Sequence, residues 1–598
     1  IENTKKERKA TGSYYTPDYI VNYIVEHTVG PVLDAQFATL SGRLHTTRRR
    51  YRQHCAEVEG RKDSQSAELF WTTDKDAITL ADDCLNIRVL DPAMGSGHFL
   101  VAAVDYISNR LIDFLNAWTD NPVWALLERT RADILTDLQA RNVSVDESKL
   151  TRVVLLKRSV LKRCVYGVDL NRMAVELAKV SLWLDAFTLG APLSFLDHHL
   201  KHGNSLIGAR VGEVRDAVEG KQNEKIQTTY FTGSAFEGLK RAVETMREIS
   251  YLPDNTITQV RQSKRSFGSA SDLLDPLKRV LDVYLSRWFG NVSIKKGRKA
   301  DVFEPTIEFL RRKDTEAWLN NPKAALPKSD YMDIAQIAST AQRAADEKSF
   351  FHWELEFPEV FFAPTTHAGQ DVQVDPNGGF DAVIGNPPYI RIQTMNVLDS
   401  DYFSTYKAAT DNYDIYALFI EQGLNKLNPC GYQGYIVPHK FFQAGYGSGL
   451  RKLIATGKNL CEVQHFGDQQ VFEGASTYTG ILMLSRTARS TFNFNRVDNI
   501  AEWSKDQNRS NLKSMSADKV TAEAWHFVGG QSADIFHKLE SMPLKLKDVT
   551  SRIFQGIKTS GDNVYIVQEI KREAKRILIH SPATGKQYWV EPDLFHPL

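Results

Sequence analysis

The predicted fold rests on residues 87–97, which read IRVLDPAMGSG. The apolar run from Ile87 to Leu90 is typical of a short buried strand. Gly95 and Gly97 allow a tight turn, and a helix is predicted to begin near His98. Glycines placed directly after a strand also let the backbone approach a ligand closely. The stretch therefore predicts a strand–turn–helix unit with a candidate cofactor-binding turn, although ordinary turns of this kind use glycine as well.

Strands and helices alternate further along the chain. A second strand is predicted at residues 164–168, and a helix with apolar residues at helical spacing follows from Arg172 to Leu189. This alternation predicts parallel pairing, and so an α/β fold with a Rossmann-like, doubly wound, mostly parallel sheet. The later parts of this sheet are predicted at the strand Phe380–Gly385, the helix Ile415–Leu427, the strand Gly434–Pro438 and the strand Gly480–Leu484.

Changes in composition and in the spacing of apolar residues divide the chain into six predicted segments. A helix is expected from Asp18 to Leu40, and a polar, variable stretch up to Ala81 is interpreted as an insertion. The absence of an initiator methionine leads us to expect that the sequence begins inside a longer polypeptide. The predicted segments are an N-terminal helical segment (1–40), the cofactor half of the main domain (41–210), a large helical insertion (211–348), the catalytic half (349–500), a linker (501–544) and an incomplete C-terminal module (545–598).

Composition narrows the class of protein. Of the 598 residues, 42% are hydrophobic and 25% are charged, which predicts several packed domains rather than a disordered chain. A net charge of +1 excludes a uniformly basic protein that coats nucleic acid, but it permits a local basic groove. Basic clusters at residues 48–52, 295–299 and 311–313 are interpreted either as solvated surface or as phosphate contacts.

Cysteine usage and hydropathy predict the compartment. The five cysteines are scattered and form no Cys-x-x-Cys pair, so neither a disulfide framework nor a metal site is predicted. This pattern is typical of the reducing cytoplasm. The sequence has no uninterrupted apolar stretch near the ~18 residues that would cross a bilayer, so no membrane partner is expected.

A second motif carries the predicted chemistry. The strand that ends at Gly385 is followed by Asn386, Pro387, Pro388 and Tyr389. The Asn386 side-chain oxygen and the Pro387 carbonyl are two acceptors for the hydrogens of a planar amine, and they localise its lone pair on nitrogen. Consecutive prolines hold that carbonyl rigidly, and Tyr389 is placed to stack on a base for about 1–3 kcal/mol. The alternative is a Pro-Pro turn that ends a strand, with Asn386 as an ordinary turn residue.

Asp169, at the tip of the second predicted strand, is a candidate ligand for the two hydroxyls of a ribose. The alternative interpretation is an N-cap for the helix that begins near Arg172. The separation between the glycine turn and Asp169 is about three times the ~20 residues of dinucleotide folds. An insertion around residues 116–162 is therefore expected between them.

These motifs, in this order, resemble the γ-class adenine-N6 DNA methyltransferases, especially those related to large single-chain type IIG-like restriction–modification enzymes. The resemblance covers most of residues 10–490 apart from the insertions. It implies catalytic roles for Asn386, Pro387 and Tyr389, with Phe472 as a second aromatic ring against the base. The alternatives are that Tyr478 takes this role or that Phe472 is an ordinary core residue. Cofactor contacts are implied for Tyr15 and Thr16 in the N-terminal motif (residues 11–17), and for Asp91, Ala93, Gly95, Gly97, Asp169, Leu170, Asn204 and Asn386.

The same resemblance implies S-adenosylmethionine as cofactor, double-stranded DNA as partner and an adenine flipped out of the duplex. Residues 553–562 resemble the beginning of a DNA-recognition domain, and His439 and Lys440 are either DNA contacts or solvent-exposed. Restriction–modification or anti-phage defence in a prokaryotic cytoplasm is expected, with further defence-system subunits as candidate partners. The sequence offers no convincing nuclease constellation. Methylation of cytosine N4, an RNA base amine or a protein glutamine stays open, as does a non-catalytic DNA-recognition role.

Overall fold

The computed structural model describes residues 15–59, 64–219, 234–296, 301–363, 373–395, 397–472, 477–507, 512–527, 538–539, 541–544, 546–550 and 566–592. The chain divides into two compact units, Ile1–His526 and Phe527–Leu598. This division falls inside the stretch 501–544 that was predicted as a linker. The predicted start of the recognition domain, residues 553–562, lies outside the described residues, as do residues 11–14 of the N-terminal motif.

The first unit is built on one sheet of nine described strands. In chain order they are β1 (Val89–Asp91), β2 (Val165–Asp169), β3 (Leu200–His202), β6 (Phe380–Gly385), β7 (Leu427–Pro438), β8 (Leu460–His465), β9 (Thr479–Ser485), β10 (Thr491–Arg496) and β11 (Lys513–Ser516). Across the sheet their order is β11-β10-β8-β9-β7-β6-β1-β2-β3. A separate short hairpin joins β4 (Ile294–Lys296) to β5 (Asp301–Phe303).

The sheet is mostly parallel and doubly wound, which confirms the predicted fold class. Strands β3, β2, β1, β6 and β7 run parallel, so their carboxyl ends share one edge. Strand β9 is antiparallel to both β7 and β8. The chain leaves β1 toward β2 and β3 and later returns on the other side of β1 with β6. This reversal between β1 and β6 is the topological switch point, where ligands bind in open α/β sheets.

The described α-helices of the first unit flank the sheet and form the insertion between β3 and β6. They span Asp18–Glu59, Ser64–Thr73, Lys75–Cys84, His98–Asn116, Pro122–Ala140, Arg152–Cys164, Arg172–Asp185, Val211–Glu219, Ser234–Tyr251, Ile257–Leu285, Pro305–Arg311, Glu316–Asn320, Ile334–Lys348, Trp353–Glu356, Pro358–Phe361, Val397–Phe403, Tyr416–Lys426, Ser448–Gly457 and Ile500–Trp503. The second unit contains a short helix, Leu546–Val549. Short 3₁₀ turns occur at Glu147–Lys149, Ser286–Trp288, Lys313–Thr315, Ile392–Thr394, His439–Phe442, Gly445–Gly447 and Ala517–Lys519.

Two sequence expectations need correction. The first helix continues to Glu59 rather than ending near Leu40, because Leu44 and Val58 keep an apolar, buried side on the last turns. Part of the stretch interpreted as a variable insertion is therefore a continuation of this helix. The sheet also extends beyond Leu484, since β10 and β11 add two strands after it. In β10 only Phe492 and Phe494 alternate with polar residues over a six-residue stretch, and the four residues of β11 are mostly polar, so neither was predicted as a strand.

The helical insertion is fastened to the sheet by buried charged groups. Lys162 and Asp254 lie 2.6 Å apart with side chains almost fully excluded from solvent. The Glu356 carboxylate lies 3.0 Å from the ammonium groups of both Lys201 and Lys278. These two lysines hold the pKa of Glu356 well below its ordinary value even though burial opposes this. Because breaking a buried pair leaves a desolvated charge, these contacts fix the insertion against β3 and its neighbouring helices.

The second unit contains an antiparallel three-stranded sheet within its described residues. It is formed by β12 (Gln568–Glu573), β13 (Arg576–Ser581) and β14 (Lys586–Val590), with β13 in the middle. Ile577 and Ile579 are buried on one face of β13, whereas the outer strands are mostly exposed. Across the described part of the whole chain, no helix is long and apolar enough to cross a membrane.

Candidate active site at the switch point of the sheet

The two strands that flank the switch point end in direct contact. Gly385 closes β6 with a φ of +151°, and a Cβ atom built on it would lie 2.8 Å from Oδ1 of Asp91 at the end of β1. Only glycine fits this approach without displacing the carboxyl group. The two motifs that were singled out from the sequence, nearly three hundred residues apart, therefore meet at the same point.

The glycine turn after β1 has one packed glycine and one open glycine. Gly95 and Gly97 have φ values of +54° and +84°. A Cβ on Gly97 would lie 3.1 Å from Cβ of Ala178, so this glycine lets two helices pack closely. A Cβ on Gly95 would meet no described atom within 4 Å. The backbone of Gly95 therefore borders open space at the carboxyl edge of the sheet, where a ligand has room to bind.

Asp169, at the end of β2, fixes this turn. Its Oδ2 accepts a hydrogen bond from the Gly95 amide at 2.9 Å, and its Oδ1 accepts one from the Asn171 amide at 2.7 Å. The cap of the following helix is Asn171, whose side chain accepts from Met173 N, so the N-cap interpretation of Asp169 is wrong. A carboxylate has about four acceptor sites, and two of these remain for a ligand.

Burial and a neighbouring carboxylate control the charge on Asp91. Its side chain is buried and its Oδ1 accepts from the Ala93 amide at 3.0 Å. Desolvation, with a smaller contribution from the charge of Asp169, raises the pKa of Asp91 to about 8. Desolvation also raises the pKa of Asp169, although its two backbone hydrogen bonds oppose the shift. Burial therefore favours the protonated form of the Asp91 carboxyl group.

Asn386 follows Gly385 and is held by the N-terminal segment. Its Nδ2 donates a hydrogen bond to Oγ1 of the buried Thr16 at 3.1 Å. Its Oδ1 is excluded from solvent, and none of the described residues donates a hydrogen bond to it. A buried carbonyl oxygen without a donor costs on the order of 1–3 kcal/mol. The arrangement keeps one strong acceptor in place for a donor that none of the described residues supplies.

Two prolines and an aromatic ring continue from Asn386. Pro387 is buried, and the hydroxyl of Tyr389 donates to the Ile436 carbonyl on the adjacent strand β7 at 2.9 Å. The ring of Tyr389 is 6.1 Å from that of Tyr416, at 83°. It is 6.4 Å from the buried ring of Phe472, at 62°. The rings of Tyr389 and Phe472 are thus close but not parallel, so a sandwich around a base requires one of them to turn.

Asn204, one of the predicted cofactor contacts, lies just after the end of β3. The side-chain oxygen of Asn204 accepts a hydrogen bond from the Leu206 backbone amide at 3.1 Å. The backbone amide of Asn204 donates to the Ser349 carbonyl at 2.8 Å. His202 is hydrogen-bonded at 3.0 Å to the carbonyl of Leu170, whose side chain is exposed. The ends of β1, β2, β3 and β6 therefore bring Asp91, Asp169, Asn204 and Asn386 to the same edge of the sheet.

Two residues that sequence reasoning missed, Asp18 and His98, hold the start of the N-terminal segment. The exposed ring of Tyr15 stacks on that of His98 at 4.9 Å, and its hydroxyl donates to Asp18 at 3.1 Å. His98 Nε2 lies 2.9 Å from the same Asp18 carboxylate. In the sequence, Asp18 and His98 were noted only as the first residues of predicted helices, so their contacts with Tyr15 were not expected. Together they tie Tyr15 to the helix that follows the glycine turn.

The residues predicted as candidate DNA contacts differ in exposure and in their partners within the chain. His439 is bonded to the Gly467 carbonyl at 2.9 Å and lies 4.1 Å from the ring of His465, whereas Lys440 is exposed. In the cluster at 311–313, Arg311 donates to the Val218 carbonyl and Arg312 pairs with Asp314. Most of the cluster at 295–299 lies outside the described residues. No cluster of metal-ligating side chains occurs among the residues that the structure describes.

Comparison with known families gives two overlapping matches. The Eco57I restriction-modification methylase model matches residues 163–472, more than half of the chain. The model of the MmeI DNA-methyltransferase domain matches residues 68–200. Together these spans contain Asp91, the glycine turn, Asp169, Asn204 and Asn386.

Individual relatives are similar over different spans. A type II restriction enzyme and methyltransferase of Escherichia coli, RM.Eco57I, is 32% identical over 228 residues, which is 37% of this chain and 22% of the relative. A putative type II restriction enzyme and methyltransferase of Methanocaldococcus jannaschii is 25% identical over 528 residues, which is 81% of this chain and 36% of the relative. The chain therefore spans about a fifth to about a third of the length of these relatives.

Among solved structures, the DrdV–DNA complex aligns with 94% of this chain and 37% of its own, at 11% identity and a TM-score of 0.38. The family assignment rests on the sequence match across residues 163–472, which includes the tetrapeptide at Asn386 and ends at Phe472. The chain belongs to the family of Eco57I restriction-modification methylases.

Proposed function

We propose that this chain transfers a methyl group from S-adenosylmethionine to the N6 amine of an adenine in duplex DNA, as part of a restriction–modification system. The observation that carries the proposal is the buried Oδ1 of Asn386, to which no described residue donates, at the switch point of the sheet. An exocyclic amine of a base supplies the missing donor. The family membership supports DNA as the substrate class.

The chain contributes polarisation and orientation to this reaction. An aromatic amine is a poor nucleophile because its lone pair is delocalised into the ring. Asn386 Oδ1 and the Pro387 carbonyl accept the two amine hydrogens and draw the nitrogen toward a tetrahedral geometry, which localises the lone pair. The Thr16 hydroxyl accepts from Asn386 Nδ2, which keeps the oxygen of the amide turned toward the base. Holding the reactants in line supplies much of the rate enhancement.

The residues at the carboxyl edge of the sheet fit S-adenosylmethionine. The open space beside Gly95 admits the ligand, and the remaining acceptor sites of Asp169 suit the hydroxyls of its ribose. Asn204, at the end of β3, is proposed to contact the adenine ring, and Tyr15 and Thr16 the opposite side of the ligand. When bound, S-adenosylmethionine supplies an electrophilic methyl group on a positively charged sulfur.

The target base has to leave the DNA stack, because its amine lies inside the duplex. Extrusion costs a few kcal/mol. Stacking on Tyr389 returns about 1–3 kcal/mol of this cost, and the hydrogen bond from its hydroxyl to Ile436 holds the ring in place. A second stacking contact from Phe472 is proposed as well. It requires a change of ring orientation from the observed 62°.

Nucleoside analysis tests the proposal. The protein is incubated with labelled S-adenosylmethionine and, in separate reactions, with unmethylated genomic DNA, RNA or protein extract. The DNA is then digested and its nucleosides are separated by mass. We expect label in DNA as N6-methyladenine, and none with the Asn386→Ala variant. Label in N4-methylcytosine, in RNA or in protein contradicts the proposal, as does the same yield from Asn386→Ala.

A further inference from the structure

The helix Arg172–Asp185 carries apolar side chains on a face that no described element covers. Val175, Ala178 and Leu182 are buried against the body of the protein. On another face the apolar residues are between 43% and 72% exposed. These exposed residues, called the apolar stripe below, are Met173, Leu177, Val180 and Leu184 of the helix and Phe187 just after it.

The spacing of the apolar stripe matches that of a helix-pairing seam. Successive members are four, three, four and three residues apart, which is the alternation of the a and d positions in a heptad repeat. At this spacing the side chains of a helix form a continuous ridge that interlocks with a second helix. The usual amphipathic helix of a single domain turns such a ridge toward its own core, whereas here it faces solvent.

The area of the apolar stripe agrees with that of a homodimer interface. A fully exposed side chain of this size presents on the order of 150–200 Å², so the observed exposures leave roughly 500 Å² of apolar surface. Monomers rarely expose contiguous apolar patches larger than a few hundred Å². A standard interface buries about 800 Å² per partner, of which about 65% is apolar between identical chains.

The charges beside the apolar stripe favour a second copy over an oppositely charged partner. Glu176, the exposed acidic residue next to it, lies 2.7 Å from the ammonium group of Lys179, which also pairs with Asp197. Ala174, Ser181 and Trp183 on its flanks carry no charge. The exposed Arg172 stands at the beginning of the helix. In an antiparallel pair the two Arg172 side chains lie at opposite ends, roughly 20 Å apart along 14 residues of helix.

We propose that two copies of this chain associate through the apolar stripe, with their Arg172–Asp185 helices packed antiparallel. The interface lies on the outer face of the helix that follows Asp169, away from the buried side that packs on the sheet. Association buries the apolar stripe of each copy against that of the other. The inference goes beyond the proposed methyl transfer and does not depend on it.

Sedimentation velocity of the full chain tests this association. Over protein concentrations from about 1 to about 100 μM, the range in which modest interfaces associate, the mean mass is expected to rise from one copy to two. The variant Leu177→Glu/Leu184→Glu places charge in the middle of the apolar stripe and is expected to stay at the mass of one copy throughout.

A matched control tests whether the loss of association is specific to the apolar stripe or follows from adding charge at any exposed apolar residues. Leu69 and Ile78 are exposed to a similar degree on two other helices, so Leu69→Glu/Ile78→Glu is expected to associate like the natural sequence. Circular dichroism and melting temperature establish that both variants are folded. A natural chain that stays at the mass of one copy overturns the proposal. Association that persists in Leu177→Glu/Leu184→Glu, or disappears equally in the control, overturns it too.

Discussion

Nδ2 of Asn386 donates a hydrogen bond of 3.1 Å to Oγ1 of Thr16, across 370 residues of chain. Thr16 is buried immediately before the first helix, and Asn386 begins the tetrapeptide after β6. The N-terminal segment therefore sets the orientation of the amide that is proposed to polarise the base. Because Thr16 holds the amide nitrogen, it also fixes the position of Asn386 Oδ1.

The first prediction concerns this hydrogen bond. Thr16→Val keeps the shape of the side chain but removes the acceptor, so the Asn386 amide is free to rotate. A net hydrogen bond is worth about 0.5–1.5 kcal/mol, which predicts a roughly 3- to 10-fold lower kcat for methylation. The control is Thr28→Val, since the buried Thr28 hydroxyl donates to the Ile24 carbonyl within the same N-terminal helix. An equal loss in both variants, or a change confined to the KM for S-adenosylmethionine, contradicts the positioning role of Thr16.

The second prediction separates polarisation from cofactor binding. Asn386→Ala removes the side-chain acceptor and is expected to abolish methylation while the Kd for S-adenosylmethionine changes by less than about threefold. Asp169→Ala is expected to do the reverse. It weakens cofactor binding first, by at least about tenfold, because one charge-assisted acceptor is worth about 1.5–3 kcal/mol. Calorimetry measures the Kd, and single-turnover methylation at saturating cofactor measures the rate. Parallel losses of affinity and rate in Asn386→Ala would refute its assignment.

Much of the sheet was predictable because the two strands at the switch point leave a local signature. Ile87–Leu90 and Phe380–Gly385 are apolar runs bounded by turn residues, and both form strands that meet at the switch point. The family resemblance implied cofactor contacts for Asp91, Asp169 and Asn386, and the parallel strands bring all three to one edge. Strands β8, β10 and β11 were missed. The alternation of Phe492 and Phe494 in β10 is short, and the polar β11 is defined by its pairing with β10 rather than by an apolar pattern of its own.

Other features depend on tertiary contacts that a single sequence does not encode locally. Met173, Leu177 and Val180 lie at helical spacing and would ordinarily be assigned to a core, yet they are exposed while Val175 is buried. Apolar residues on every side of a helix do not indicate which side faces the sheet. Likewise, the missing donor at Asn386 Oδ1 depends on which groups surround it after folding, and the spacing of the motif carries no trace of this.

The third prediction contrasts the two glycines of the turn. Gly97→Ala adds a methyl group 3.1 Å from Ala178 at a φ of +84°, so it is expected to lower the melting temperature most. Gly95→Ala is strained only by its φ of +54°, since its Cβ enters open space. That cost is on the order of 1 kcal/mol. The new methyl group occupies the region proposed for the ligand, so the Kd for S-adenosylmethionine is expected to rise at least about tenfold. Thermal melting and calorimetry compare the two, and a larger affinity loss in a well-folded Gly97→Ala would reverse the assignment.

The fourth prediction concerns the buried carboxyl group of Asp91. Desolvation raises its pKa from 3.8 to about 8 in the folded protein. Between these two values the folded state binds the proton that the unfolded state releases, so rising pH favours unfolding. The stabilising effect of the proton is complete below about pH 4 and is lost as pH rises through about 8. The side chain of the Asp91→Asn variant stays neutral and still accepts from the Ala93 amide. The variant therefore does not lose stability through this group as pH rises.

We therefore expect the melting temperature of Asp91→Asn, relative to the natural chain, to increase from pH 5 to about pH 8 without ligand and to level off above that pH. A difference of 1 kcal/mol corresponds to about 2–4 °C for a domain of 150–250 residues, so even part of the effect is measurable by scanning calorimetry. Asp146→Asn serves as control, because hydrogen bonds from Ser148 lower the pKa of this exposed carboxylate. The difference in melting temperature between Asp146→Asn and the natural chain should already be constant above pH 6. A flat profile for Asp91→Asn would mean that Asp91 is ionised in the folded protein, and its role beneath the switch point would then be electrostatic rather than structural.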